Sequence, residues 1–253
     1  MDNRYKYLSD NFKFYENVDN IFTDTEYRFH RAEYHYTKRL TELLSSSSHK
    51  FVISPATANS IANAITKLQT IQKDNPYSNV LTALCLVDFA TNHSINLNDD
   101  ELLAIMCHNC GHNRDLFQRF GIGYVNQRSI AILNGLFHHI SVVSSVTDIM
   151  VSLGLHQEYN MVNPKHLRLL DLQLSPFVYP YKQFERMQCL IYNEFIGGAA
   201  KGYNAGRKDL NYMNDRNRLI DGLFNRPGGL FQTEEFKRFE KKAQENEYRF
   251  RNS

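Results

Sequence analysis

The stretch Asn75–Ala83, with the sequence NPYSNVLTA, separates two segments whose apolar residues recur at helical spacing. The apolar stripe before it consists of Ile61, Ile65, Leu68 and Ile71. Pro76 cannot continue that helix, because its ring removes a backbone donor and clashes with the preceding turn. A new helix is predicted to follow through Leu84 and Phe89. The junction therefore predicts two successive helices that meet at Pro76.

Helical spacing dominates the chain on both sides of this junction. Ser54-Pro55 is typical of a helix start, with a serine cap and a proline in the first turn. Asn98 is a second cap residue, and acidic side chains follow it where the helix dipole favours them. Further helices are predicted over residues 26–44, 125–137, 139–153, 164–173, 180–197 and 209–224. No strand pattern is longer than residues 50–54, so the sequence predicts an all-α fold.

Three regions are expected along the chain. Residues 1–50 are predicted to form an N-terminal helical segment that packs on the core. Residues 51–225 are predicted to form the core itself. Residues 226–253 are rich in both acidic and basic side chains, which is typical of a solvated helix or a partly disordered tail. One all-α domain is the simplest account of this pattern.

Composition excludes several classes of protein. A formal net charge of +2 gives no reason to expect a nucleic-acid partner, because such proteins usually carry a concentrated basic stripe. No apolar run reaches the roughly 18 residues that a membrane span needs, and the polar N-terminus does not resemble a secretory signal. The four cysteines do not suggest a disulfide framework. We therefore expect a cytoplasmic protein, with delivery to another cell by a non-classical route as an open alternative.

Five further motifs follow the opening stretch in order. They are residues 98–113 (NDDELLAIMCHNCGHN), 136–139 (LFHH), 170–176 (LDLQLSP), 193–195 (NEF) and 216–221 (RNRLID). Together with Asn75–Ala83, they resemble the motifs of the class I cyclic-nucleotide phosphodiesterase catalytic domain, a member of the HD-type phosphohydrolase superfamily. The resemblance implies a compact multi-helix bundle with a central pocket that holds two divalent cations.

The resemblance implies a metal site that this chain has largely lost. His108 and Asp171 match metal ligands of the family, whereas Asn109 stands at the bridging aspartate and Thr82 at the first ligand histidine. An amide and a hydroxyl bring no charge, and losses of this kind should weaken metal binding strongly. We therefore expect either no cofactor or a single weakly held divalent cation, such as Mg²⁺, Mn²⁺ or Zn²⁺.

The implied catalytic and ligand-binding residues are altered as well. Ser78 stands where the family has its proton-donating histidine, and this loss removes a step typically worth about 10²–10⁴-fold. Arg216 replaces the glutamine that hydrogen-bonds the purine, and Leu219 replaces the phenylalanine that clamps it. Asn79, Arg216 and Leu219 are therefore ligand-binding candidates, with Arg216 as an anion contact. These changes predict a pseudoenzyme that binds a phosphate-bearing ligand, such as a nucleotide, or a protein partner.

Two other functions remain open. In an active metal-dependent phosphohydrolase, His108, Asn109 and Asp171 would hold one metal with help from His30, and His112 would orient water or the leaving oxygen. In a regulatory or host-directed interaction protein, the scaffold alone would act, with the charged C-terminal segment as a recognition element.

Two groups of residues also have less specific interpretations. Cys107 and Cys110 have a spacing that zinc sites use, but the second pair is missing, and a buried helix end explains the two thiols equally well. His30 and His35 lie on a predicted helix rich in charges, where a solvated face is the simpler interpretation.

Overall fold

The computed structural model describes residues 82–83, 85–86, 89–90, 93–137, 143–155, 159–192, 194 and 205–253. The helices predicted over residues 26–44 and from Ser54 to Pro76 lie outside these residues. The candidates Ser78, Asn79, His30 and His35 lie outside them too.

The described residues form helices joined by turns, and none of them lies in a strand. Residues 82–83, 85–86 and 89–90 have helical backbone. The α-helices that follow are α1 (Asp99–Cys107), α2 (Arg114–Phe120), α3 (Ile122–Phe137), α4 (Val143–Leu153), α5 (Leu167–Gln173), α6 (Tyr181–Tyr192), α7 (Ala205–Lys208), α8 (Leu210–Phe224), α9 (Glu234–Lys237) and α10 (Glu240–Arg251). Short 3₁₀ helices span Tyr159–Met161, Pro164–His166 and Ser175–Val178. For this part of the chain, the all-α prediction is confirmed.

Helix α1 begins where the sequence predicts. The Asn98 side chain accepts a hydrogen bond from the backbone N–H of Glu101, and the Glu101 carboxylate accepts one from the backbone N–H of Asn98, each at 2.9 Å. This capping box satisfies two N–H groups that a helix start leaves without partners. The Glu101 carboxylate also accepts hydrogen bonds from Arg168 on α5, which ties the start of α1 to a second helix.

The core lies around α1, whose central residues are buried on every side. Leu103, Ala104, Ile105 and Met106 are each no more than 3% exposed, as expected for a helix that is apolar all round. Helix α1 packs chiefly on α4, and α3 packs on both α2 and α4. The end of α1 therefore lies inside the bundle, together with the residues that follow it.

The turn after α1 is pressed against α3 at Gly111. A Cβ atom on Gly111 would lie 2.3 Å from the backbone nitrogen of Ser129 and 2.5 Å from the carbonyl oxygen of Val125. The Gly111 N–H donates to Ser129 Oγ at 2.8 Å, and Arg128 Nη1 donates to the Gly111 carbonyl at 2.7 Å. This close approach fixes the turn that carries His108, Asn109 and His112.

The C-terminal segment, residues 226–253, is largely helical, which agrees with one of the two predicted alternatives, but one face of it is buried rather than solvated. It contains α9 and α10, and its apolar residues belong to the hydrophobic core: Leu230, Phe231, Phe236, Ala243 and Phe250. The buried Asn246 side chain donates to the carbonyl oxygens of Phe177 and Tyr179, both at 2.8 Å. The many charged residues of this segment lie beside apolar residues that face the core. Core residues occur on both sides of the predicted boundary at residue 225, so the packing continues across it.

Other helix boundaries differ from the predicted ones by a few residues. Helix α3 begins at Ile122 rather than at residue 125, because Gly121 takes a positive φ of 78° and ends α2 there. The helix predicted over residues 164–173 is divided into a 3₁₀ turn, Pro164–His166, and α5. None of the helices in the described part of the chain combines the length and the apolar character that a membrane crossing requires.

Candidate functional site

A cavity of about 210 Å³ lies beside the turn that follows α1. Its polar lining consists of imidazole, amide and hydroxyl groups: Thr82, His108, Asn109, His112, Asn126, Gln173 and Gln188. Its other lining residues are mostly apolar: Leu86, Ile122, Met150, Leu153, Gly154, Leu174, Pro176, Phe177 and Ile191. Four predicted site residues are therefore brought together, namely Thr82, His108, Asn109 and His112. Among the described residues that line the cavity, none carries a carboxylate, an ammonium or a guanidinium group.

His108 has a fixed tautomer. It caps the C-terminal end of α1, and its Nδ1 lies 2.6 Å from the carbonyl oxygen of Ile105. A carbonyl oxygen can only accept, so Nδ1 carries the proton and Nε2 keeps its lone pair. Burial lowers the pKa of His108 to about 4, with the Ile105 hydrogen bond opposing the shift. At neutral pH the ring is uncharged and offers one acceptor.

His112 lies at the far end of the same turn. Its Nδ1 is 3.9 Å from Glu194 Oε1, and both side chains are buried. Burial and the nearby His108 lower the pKa of His112 to about 4, while a hydrogen bond with the Asn126 side chain opposes the shift. His112 is therefore neutral at pH 7, so the two imidazoles add polarity to the cavity without adding charge.

Gln188 on α6 has a fixed polarity as well. Its Oε1 accepts a hydrogen bond from Arg216 Nε at 2.9 Å. Because a guanidinium can only donate, the carbonyl end of the Gln188 amide must face Arg216. The Nε2 end is then left as a donor, and Gln188 is 5% exposed and lines the cavity.

Gln173, at the end of α5, lacks, within the described part of the chain, a hydrogen bond of the kind that fixes the Gln188 amide. Its side chain lines the cavity and is 9% exposed, and its Oε1 makes no hydrogen bond with the described residues. A buried amide oxygen without a partner costs roughly 1–3 kcal/mol. This glutamine is therefore an unusual feature of the cavity wall.

Asp171, a predicted metal ligand, does not line the cavity. It is fully buried, and its carboxylate accepts hydrogen bonds from the backbone N–H groups of Gln232 and Thr233 at 2.8 Å and from Thr233 Oγ1 at 2.6 Å. Burial raises the pKa of Asp171, while the hydrogen bonds from Thr233 and Gln232 and the charge of Arg226 oppose the shift. In the structure this aspartate anchors the segment that leads into α9.

Arg216, the predicted anion contact, also forms hydrogen bonds with the C-terminal segment. Its Nη1 and Nη2 donate to the two carboxylate oxygens of Glu247 at 2.7 and 2.6 Å, and its guanidinium carbon lies 4.5 Å from the centre of the Phe250 ring. Both members of the ion pair are buried. Leu219, the predicted base clamp, is 43% exposed on α8 and does not line the cavity. Neither residue is positioned to contact a ligand there.

Cys107 and Cys110 are buried with free thiols. Burial raises the pKa of Cys110 to about 12, despite a hydrogen bond to Ser129 and the charge of Arg128, which both oppose the shift. Burial and the neighbouring Cys110 also raise the pKa of Cys107. Within the described residues, no group of three or more His, Cys, Asp or Glu side chains surrounds them that could complete a zinc site. The buried helix end explains them better.

The described residues of the cavity do not by themselves fit the pair of hard cations that the resemblance implies. Mg²⁺ and Mn²⁺ prefer carboxylate oxygens, and the cavity offers two imidazoles with neutral amide and hydroxyl groups. Within the described ranges, no group of three or more His, Cys, Asp or Glu side chains could hold a metal ion. The lining therefore suits hydrogen bonding to an uncharged molecule better than it suits metal chemistry.

Sequence reasoning missed Asn126, Gln173 and Gln188 as cavity residues. Gln173 lies inside the motif at residues 170–176, two positions after Asp171, and it lines the cavity whereas Asp171 does not. Successive residues of a helix point in different directions, so one motif can supply both a buried anchor and a cavity wall.

The chain matches no protein-family model, no curated protein and no solved structure in the comparisons made.

Proposed function

We propose that this protein acts by binding a small, uncharged molecule in the cavity beside His108, as a phosphodiesterase-like scaffold without the metal-dependent chemistry. The observation that carries the proposal is the character of the cavity lining. Among the described residues, the polar groups that line it are neutral at pH 7, and the two charged residues expected there, Asp171 and Arg216, are hydrogen-bonded to the C-terminal segment. Moving either charge into the cavity would break several buried hydrogen bonds.

The same observation disfavours a phosphate-bearing ligand. A phosphate needs cationic or N–H-rich partners, and Arg is the side chain best matched to it. Arg216 already donates to Glu247 through both terminal nitrogens, and to Gln188 through Nε. The described lining contains no Arg or Lys. A neutral ligand therefore fits this site better than the nucleotide that the sequence suggested.

The proposal is tested by comparing ligands and substrates on the full-length chain. Calorimetric titration with neutral single-ring molecules is expected to show binding, whereas orthophosphate and cyclic AMP are expected to show none. Hydrolysis of cyclic AMP, cyclic GMP and bis(p-nitrophenyl) phosphate, with Mg²⁺, Mn²⁺ or Zn²⁺ added, is expected to stay at the buffer rate. Turnover that depends on added metal, and that is lost in His108→Ala, would overturn the proposal.

One observation favours a metal-dependent phosphohydrolase as the second candidate. The Nδ1–H of His108 donates to a backbone carbonyl and leaves Nε2 as a lone pair, which is the arrangement that metal-binding histidines use. In that case the remaining ligands would come from residues outside the described part of the chain, such as His30. The hydrolysis assay above, repeated with His30→Ala, separates this candidate from the binding function.

A further inference from the structure

The cavity presents hydrogen-bonding groups of opposite and fixed polarity. Ile105 holds the proton of His108 on Nδ1, so Nε2 is an acceptor. Arg216 holds the carbonyl end of the Gln188 amide, so Nε2 of Gln188 is a donor. Neither assignment depends on how an amide or a ring was oriented, since both partners, a backbone carbonyl and a guanidinium, have only one role.

Gln173 adds an amide whose donor and acceptor ends are not fixed by a neighbouring group in the described part of the chain. Its side chain is buried and lines the same cavity, and its Oε1 forms no hydrogen bond with the described residues. A rotation of the amide by half a turn exchanges its donor and acceptor ends, and it breaks no hydrogen bond of Oε1 with the described residues. An unsatisfied buried amide is costly, and a ligand that pairs with it recovers that cost on binding.

The size of the cavity suits a ligand of about one ring. At about 210 Å³, it exceeds the roughly 150 Å³ of an apolar cavity that holds benzene. It is smaller than the roughly 300–1,000 Å³ of sites for drug-sized ligands. Leu86, Met150, Leu153 and Phe177 supply apolar surface for the body of such a ring.

We propose that the cavity binds a neutral cyclic amide, whose ring N–H donates to Nε2 of His108 and whose carbonyl oxygen accepts from Nε2 of Gln188, with Gln173 as an adaptable third partner. The inference rests on the proposed binding function and names the ligand class. In this arrangement, the buried Arg216–Glu247 pair acts as a positioning element, because it orients Gln188 without touching the ligand.

The test uses 2-pyridone and N-methyl-2-pyridone, which share a ring and a carbonyl but differ in the N–H donor. Calorimetry and ligand-observed NMR on the full-length chain are expected to show binding of 2-pyridone, with N-methyl-2-pyridone weaker by about tenfold because one hydrogen bond is lost and an acceptor is left unpaired. Toluene provides an apolar ring without either group.

A protein variant tests the donor. Gln188→Glu keeps an oxygen for Arg216 but replaces the donor to the cavity by an acceptor, so 2-pyridone should bind about tenfold or more weakly. Gln183→Glu is the matched control: the same substitution on α6, at a glutamine whose Oε1 is also buried without a partner but which does not line the cavity. It should leave 2-pyridone binding unchanged. If Gln188→Glu fails to fold, the pair of pyridones on the wild-type chain still decides the question.

The outcomes separate the ligand class from the function. Preference for 2-pyridone that Gln188→Glu abolishes supports the inference. Equal binding of the two pyridones and toluene overturns it, while leaving a neutral binding site in place. If no neutral ring binds and orthophosphate or a divalent cation does, both the inference and the proposed function fail.

Discussion

Polar side chains differ between the C-terminal side of the bundle, around Asp171 and Arg216, and the side that contains the cavity beside His108. On the C-terminal side, charged groups are saturated: Asp171 accepts from Gln232 and Thr233, and Arg216 is paired with Glu247. On the cavity side, the polar groups of the described lining residues are neutral, and Gln173 has a buried oxygen with no hydrogen bond among the described residues. Buried charged side chains whose hydrogen bonds are all made within the protein stabilise the fold. Neutral polar groups beside a cavity that lack a hydrogen-bond partner are available to a ligand. The contrast separates the residues that stabilise the protein from those that can recognise something.

The largest effect is expected at the buried ion pair. Arg216→Met should lower the free energy of unfolding by roughly 3 kcal/mol, because Glu247 loses its two hydrogen bonds from Arg216 and keeps the one from Arg251 Nε. Chemical denaturation measures this change. The double variant Arg216→Met/Glu247→Met is the control and should recover much of the loss, because it removes both charges. A loss below about 1 kcal/mol in the single variant would show that the pair is not a structural anchor.

The next effect concerns Asp171. Asp171→Ala should destabilise the protein by roughly 3 kcal/mol, because it leaves the buried donors of Gln232 and Thr233 without an acceptor. The loss should be the same in the presence and absence of EDTA. If EDTA destabilises the wild-type chain but not the variant, Asp171 is a metal ligand and the contrast between the two sides breaks down.

A smaller effect is expected from the pH dependence of His112. Its folded-state pKa is about 4, below the ordinary value of 6.5, so the unfolded chain binds the proton more tightly. The stability from this neutral histidine is therefore present above pH 6.5 and is lost as the pH falls towards 4. Between pH 7 and pH 5 the loss should be about 2 kcal/mol. Urea denaturation of wild type and His112→Asn over this range should show a shallower slope in the variant, and parallel slopes would contradict the assignment.

The smallest expected effect is an increase in stability. Gln173→Met should raise the free energy of unfolding by about 1 kcal/mol, because a buried amide oxygen without a partner is replaced by an apolar group of similar size. Thermal and chemical denaturation measure the gain. The same variant should bind 2-pyridone more weakly, so stability and binding are expected to move in opposite directions. A fall in stability would mean that Gln173 already has a structural partner.

The helical architecture could be predicted from local signals. The cap at Asn98 is confirmed, because a capping box depends only on residues three positions apart. The buried face of α10 was not recognised, because Lys, Arg and Glu outnumber its apolar residues and a few buried positions are enough to dock a helix. Charge content describes the exposed face of such a helix and says little about the other.

The candidate site could be predicted only in part. Thr82, His108, Asn109 and His112 do line one cavity, because a short turn and a neighbouring helix bring them together. The assignments of Asp171 and Arg216 to the cavity do not match the structure, since their partners come from residues 232–233 and 247, far away in sequence. A motif identifies a side chain, but tertiary packing decides what that side chain contacts.

The most direct measurement is the metal content of the full-length chain, purified without chelator and analysed by inductively coupled plasma mass spectrometry. The neutral lining of the cavity predicts Mg, Mn, Zn and Fe contents well below one equivalent per chain, unchanged in His108→Ala. Two retained equivalents per chain, both lost in His108→Ala, would contradict the account, because paired cations of that kind are the basis of metal-dependent phosphoester hydrolysis.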